Sequence, residues 1–199
     1  SVSESHNKAN IRRTHEESLE ELQKIMDTYP QMNICVALAT SFGCPFEGIP
    51  PIQKVVDFTK RVYDMGIRSI CLADTIGIAD PRQVRDTIHA VTEVMPDCEF
   101  QIHIHDTRGM GQANTLAAIE CGIKTVQSTL GGLGGCPFAP GASGNTATED
   151  LVYMLQRMGY ETGIDFEKLL AAAKYQKSFI DGIYSGHQQN INTKTPPCS

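Results

Sequence analysis

Asp64-Met-Gly-Ile-Arg-Ser-Ile70 and Glu120-Cys-Gly-Ile-Lys-Thr-Val126 decide the fold of this chain. Each copy runs in the same order: the end of a helix, a glycine stop, and the opening of a strand. Working outward, Ile52, Val55, Val56, Val62 and Tyr63 mark the helix that Gly66 ends, and Ser69-Ile-Cys-Leu-Ala-Asp74 marks the strand that follows. Asp80-Pro81 then opens a helix, with Asp as N-cap and Pro in the first turn, that carries Val84, Ile88, Val91 and Met95 inward. Glu99 to His105 alternates as the next strand, Asn114 to Gly122 closes a helix, and Lys124 to Thr129 is the last strand. Upstream, Thr14 and Glu17 form a capping box for a helix that Pro30 ends, and residues 33–40 read as a strand apolar on both faces. Downstream, Thr146 and Glu149 read as a second capping box, and a last helix is expected over residues 166–184. Strands alternating with helices of this length imply an α/β fold: a parallel sheet with its helices outside.

The 199 residues are 41% hydrophobic, enough for one substantial core and a single domain over residues 1–184. Residues 185–199 are polar and proline-ended, and are expected to be disordered. A net charge of −6 and a pI near 5.5 exclude a basic nucleic-acid-binding face. No apolar run approaches the length of a membrane span. Seven scattered cysteines without paired metal spacing read as reduced thiols, which points to a cytoplasmic setting with a mitochondrial matrix left open.

Two stretches carry chemistry. In Glu99-Phe-Gln-Ile-His103-Ile-His105-Asp-Thr-Arg-Gly109, strand alternation puts His103 and His105 on one face near the strand's carboxyl end. Two imidazoles so placed grip one metal ion from one side; the alternative is a core and a surface histidine. The second stretch, Gly131-Gly-Leu-Gly-Gly-Cys136-Pro-Phe-Ala-Pro-Gly-Ala-Ser-Gly-Asn145, sets a cysteine among glycines and prolines. A loop cysteine is a candidate acid, base or nucleophile, where a core cysteine is a small hydrophobe. Asp74 closes its strand at the end where barrels place catalytic groups, with a turn cap as the alternative. Residues 41–48 form another strand-end loop, in which Cys44 and Glu47 are candidate substrate contacts. Arg108 is a candidate for an anionic substrate group, a phosphate or a carboxylate, or else a solvated arginine.

Leu72-Ala-Asp74-Thr-Ile-Gly77, His103-Ile-His105-Asp-Thr107, Thr40-Ser-Phe-Gly-Cys44-Pro-Phe-Glu-Gly48, and the Gly131–Asn145 loop followed by Ala147 to Leu155 together resemble the hydroxymethylglutaryl-CoA lyases. These belong to the metal-dependent lyases and condensing enzymes built on TIM barrels. The likeness runs from about Ser1 to Phe179. The resemblance implies a (β/α)8 barrel, present here as about units four to eight with carboxyl-terminal helices, since a closed barrel typically takes ~250 residues. Ser1-Val-Ser3 matches the end of the fourth strand, and the chain is expected to be a fragment or incompletely recorded. A metal-binding Asp and an adjacent Arg of the family's first strand have no counterpart here. Gln127 stands where these lyases carry an Asp.

What the resemblance implies for chemistry is cleavage of 3-hydroxy-3-methylglutaryl-CoA into acetyl-CoA and acetoacetate. His103, His105 and Asn145 match the metal ligands, and Mg²⁺ or Mn²⁺ suits a hard Lewis-acid role. Cys136 matches the catalytic proton donor, His103 doubles as a proton carrier, and Asp74 matches a functional position. The implied partners are an acyl-CoA substrate and either a second copy or the missing amino-terminal segment. The alternatives are a condensing enzyme joining acetyl-CoA to a 2-oxo acid, which lacks such a cysteine loop, and an inactive metal-binding barrel fragment.

Overall fold

The computed structural model describes residues 1–135 and 144–191. Four strands, β1 (Cys35–Leu38), β2 (Ser69–Asp74), β3 (Glu99–Ile104) and β4 (Thr125–Gln127), form one parallel sheet in sequential order. Helices α3 (Ile52–Asp64), α4 (Pro81–Val94) and α5 (Gly111–Glu120) make the crossovers between them. Helices α1 (Glu4–Ile11) and α2 (His15–Thr28) precede β1, and α6 (Thr148–Arg157) and α7 (Phe166–Lys177) follow β4. This is the sequential βα winding of a barrel, here a four-stranded arc of it.

The pleat assigns the two faces. Leu38, Leu72, Ile102 and Val126 lie side by side in register, and with Ile70 and Ile104 they face the helix layer. There they meet Val55, Val62, Val84, Ile88, Val91 and Ala117 in one apolar core. Each fully buried Ile or Leu contributes roughly 1.5–3 kcal/mol relative to exposure. The opposite, lumen-side face runs in rows: Ala37, Cys71, Gln101 and Thr125, then Ala73, His103 and Gln127 one step nearer the carboxyl ends. A polar ladder crosses it, with Gln127 Nε2 donating to Gln101 Oε1 and Gln101 Nε2 to Ser69 Oγ, both at 3.1 Å.

Several elements differ from expectation. β1 is not buried on both faces: Cys35 and Ala37 are exposed, because among the described residues no strand lies across the lumen from them. Ser1-Val-Ser3 is not a strand end. Val2 donates one backbone bond to Ala39 O, and Ser3 then caps α1, a helix that hydrophobic periodicity does not reveal because its residues are mostly polar. The capping box at Thr14 and Glu17 is present as expected. The one at Thr146 and Glu149 is not: Ala147 is the N-cap, Thr146 Oγ1 donates to Ile104 O, and Glu149 turns inward. α7 stops at Lys177 rather than running on to residue 184. Residues 185–191, expected to be disordered, are hydrogen-bonded against the chain, as described below.

Glu47 clasps the amino-terminal segment to the sheet. Its carboxylate accepts from Ser3 Oγ at 2.6 Å, Ser5 N at 3.2 Å and Lys54 Nζ at 2.7 Å. The Lys54 ammonium, followed by the Ser3 hydroxyl, pulls its pKa from 4.5 down to about 2. A depressed acid stabilises the fold above its unfolded pKa, and that contribution disappears as pH falls from 4.5 toward 2. Glu47→Gln is therefore expected to flatten the urea-measured stability curve over that window and to leave its shape above pH 5 unchanged; an identical acid limb in both proteins would contradict the clasp.

At the start of α4, Asp80 Oδ1 accepts from the N–H groups of Arg82 and Gln83 at 2.8 and 3.0 Å. Asp80→Ala leaves both donors without this acceptor and is expected to cost about 1 kcal/mol in urea unfolding. A change below about 0.3 kcal/mol would show that solvent caps α4 as well as the side chain does.

Candidate active site at the carboxyl ends of the strands

The site grows from the end of β3. Beyond Ile104 the strand continues through His105, and a second segment, residues 144–146, runs back alongside it. Asp106 N donates to Gly144 O at 2.9 Å, Thr146 N donates to Ile104 O at 3.2 Å, and His105 and Asn145 pair as an antiparallel bridge. Gly144 makes this return possible. Its φ of +94° favours glycine, and a Cβ there would lie 1.9 Å from Gly134 O.

Three of the expected residues converge here. The His103 and His105 rings stand edge to face with centroids 5.2 Å apart, and the Asn145 side chain lies close enough to His103 to raise its pKa. His105 and Asn145 are each 9% exposed, and the Nδ1 atoms of both histidines are buried without a hydrogen-bond partner among the described residues. Burial lowers the pKa of His103, partly offset by Asn145, and burial together with the neighbouring His103 brings His105 down to about 4. Both imidazoles are thus neutral near pH 7, as metal ligation requires. Unpartnered buried ring nitrogens beside an amide fit part of a coordination shell for a divalent cation. Among the described residues no group of three or more His, Cys, Asp or Glu side chains adds a carboxylate to it.

Other expected site residues lie elsewhere. Asp74 caps the turn that follows its strand. It shares the parity of Ile70 and Leu72, so its side chain enters the helix layer, where it is fully buried and accepts from Ile78 N and Ala79 N at 3.1 and 3.0 Å. Burial raises its pKa against those donors. It braces the turn after β2. Arg108 Nη1 donates to the carbonyls of Ile76 and Gly77, each at 3.1 Å, so its guanidinium buttresses the same turn. Cys44 is buried; its sulfur accepts from Phe46 N at 3.4 Å, and its backbone pairs with Gly48. Glu47 is engaged in the clasp described above. Cys136 lies outside the described residues, as do 137–143; the described ends of its loop meet beside Asn145, whose N–H donates to Gly132 O at 3.2 Å.

The sequence reading missed a supporting cluster. Glu149, with no exposed surface, accepts from Gly131 N at 2.9 Å, and burial raises its pKa. Asp150 accepts from His187 N, His187 Nδ1 and Gln188 N at 2.7, 2.9 and 2.8 Å. Both acids sit in the first turn of α6, where carboxylates are ordinarily helix-start charges. Only their burial distinguishes them.

The sequence and the fold have close counterparts. The family model described as HMGL-like matches residues 1–175. The chain is 43% identical over 177 residues to the hydroxymethylglutaryl-CoA lyase YngG of Bacillus subtilis, covering 88% of this chain and 59% of that protein. It is also 43% identical to the human mitochondrial hydroxymethylglutaryl-CoA lyase, covering 87% of this chain and 54% of the relative. The chain therefore spans somewhat more than half the length of these relatives. Among solved structures, the B. subtilis HMG-CoA lyase superposes with a TM-score of 0.89 at 39% identity over 95% of this chain and 64% of the other. An Acinetobacter baumannii HMG-CoA lyase in complex with coenzyme A and 3-methylmalate gives 0.90 at 36% identity over 100% and 65%. The parallel α/β arc is thus part of a TIM barrel of the HMG-CoA lyase kind, and the chain belongs to the HMGL-like family.

Proposed function

We propose that this chain carries the carboxyl-terminal part of a carbon–carbon lyase that cleaves 3-hydroxy-3-methylglutaryl-CoA to acetyl-CoA and acetoacetate. One observation carries the reading: His103, His105 and Asn145 meet at the carboxyl end of the parallel strands, beside both described ends of the Cys136 loop. Membership of a family whose relatives are named as hydroxymethylglutaryl-CoA lyases supports it.

His103, His105 and Asn145 would hold a divalent cation, Mg²⁺ or Mn²⁺. Bound there, it would supply Lewis acidity toward the oxygens of the substrate. The residues of the chain do the rest. His103 would double as the proton carrier: with its ring neutral and off the cation, it accepts the proton of the tertiary hydroxyl as the bond between C2 and C3 breaks. The electron pair of that bond stays with the thioester fragment as its enolate, and the hydroxyl carbon becomes the ketone of acetoacetate. The Cys136 thiol then gives its proton to C2 of the enolate, which completes acetyl-CoA. A thiol of ordinary pKa ~8.5 needs little tuning for that transfer near neutral pH. The set of seven cysteines suits a reducing compartment, the cytoplasm or a mitochondrial matrix; no helix among the described residues is long and apolar enough to cross a membrane.

In the barrel-complete protein, Cys136→Ser is expected to retain acyl-CoA binding in calorimetry and to lose at least ~100-fold in turnover, because a serine hydroxyl is too weak an acid. Turnover equal to the parent would move the donor role elsewhere. His103→Ala and His105→Ala should each abolish turnover, as should chelation, and added Mn²⁺ should restore activity to the chelated parent alone. A chelator-treated parent at full speed would contradict the metal.

For the 199 residues by themselves, we propose pairing through the open sheet. The outer edge of β4 lacks a strand neighbour among the described residues, and the lumen face of β1 is wet. Light scattering is expected to give a mass above the 21.8 kDa of one chain; a well-folded monomer of that mass would contradict this.

A further inference from the structure

The Asn145 backbone is gripped from two directions. From the glycine loop, Gly132 O accepts its N–H at 3.2 Å and Leu133 O accepts its side-chain Nδ2 at 3.2 Å. From the other side, Ser185 Oγ donates to the Asn145 carbonyl at 2.8 Å. We infer that Ser185 is a positioning residue, whose hydroxyl fixes the Asn145 backbone so that the side-chain amide faces His103 and the cation site. The inference rests on the metal reading proposed above, but it concerns a residue that touches neither cation nor substrate.

Three features make this contact more than an incidental surface bond. The hydroxyl occupies space reserved for it: a Cβ on Gly132 would lie 1.8 Å from Ser185 Oγ, and Gly132 has φ +69°, so both the void and the turn require glycine. The segment that presents Ser185 is itself nailed down. Gly186 N donates to Gly131 O at 3.0 Å, and Asp150 holds His187 and Gln188 through its three short bonds. Glu149 pins Gly131 from beneath and lies against Gly186, where a Cβ would stand 2.3 Å from Oε1. The hydroxyl is therefore delivered by a fixed frame, and its loss cannot be made good by a small shift of the strap. A water replacing it would satisfy the Asn145 carbonyl without defining where that carbonyl sits.

The test compares the full-length parent, Ser185→Ala and Ser185→Thr. Mn²⁺ affinity is read by electron paramagnetic resonance, and amide exchange of residues 130–135 and 144–147 is read without metal. Ser185→Ala is expected to bind Mn²⁺ about tenfold more weakly, the usual scale for losing a partner that orients a ligand. Its amides at Gly132 and Asn145 should exchange faster, while the thermal midpoint stays within about 4 °C of the parent. Ser185→Thr, which keeps the hydroxyl, should return both readouts to near parent values. Parent-like affinity in Ser185→Ala, or equal weakening in the alanine and threonine variants, would overturn the inference while leaving the metal reading intact. A parent that binds no Mn²⁺ would overturn both.

Discussion

The return of residues 144–146 along the end of β3 is the contact on which the rest of the site depends. Two backbone bonds, which flank His105 and Asn145 and make them an antiparallel bridge, carry it. Without it, the histidines would be a pair on a strand end, and the asparagine a residue on a remote glycine-rich loop. With it, residues forty apart in sequence lie side by side, and both described ends of the Cys136 loop lie beside them. Backbone pairing is a precise way to do this, because it fixes position through atoms that no side-chain rotamer can move.

Around that seam the carboxylates divide by role. Asp74, Glu47 and Asp150 spend both oxygens, and Glu149 one of its two, on N–H or hydroxyl donors that fix loops or the N-terminal segment. None of these four joins the histidine cluster, whose described donors are neutral. Neutral ligands leave a cation's charge available to substrate oxygens, and buried imidazoles held below their ordinary pKa stay free of the protons that compete with it. The acids are therefore the scaffold of this end of the sheet, and the proposed chemistry falls to the uncharged groups.

The winding was legible from the glycine-stopped repeat, the Asp80-Pro81 helix start and the alternation around His103, because each is a local rule that tertiary packing here respects. The convergence on Asn145 was legible only through family likeness; no spacing rule links a strand to a loop forty residues away. The direction of Asp74 was not legible, because a carboxylate at a strand end reads alike whether it points to the lumen or the helices, and only parity against Ile70 and Leu72 separates them. Glu149 resembled an N-terminal helix charge for the same reason. The strap around Ser185 has no apolar period at all. It is held by polar bonds to Asp150, Gly131 and Asn145, an order that hydrophobic patterning does not register.

The central claim is that His103, His105 and Asn145 surround one divalent cation. Electron spin-echo envelope modulation of the Mn²⁺-loaded protein with ¹⁵N-labelled histidine measures this directly. The account predicts coupling of the manganese to two histidine nitrogens, falling to one in His105→Ala. Manganese that binds with no histidine coupling, or with coupling unchanged by that substitution, would contradict it.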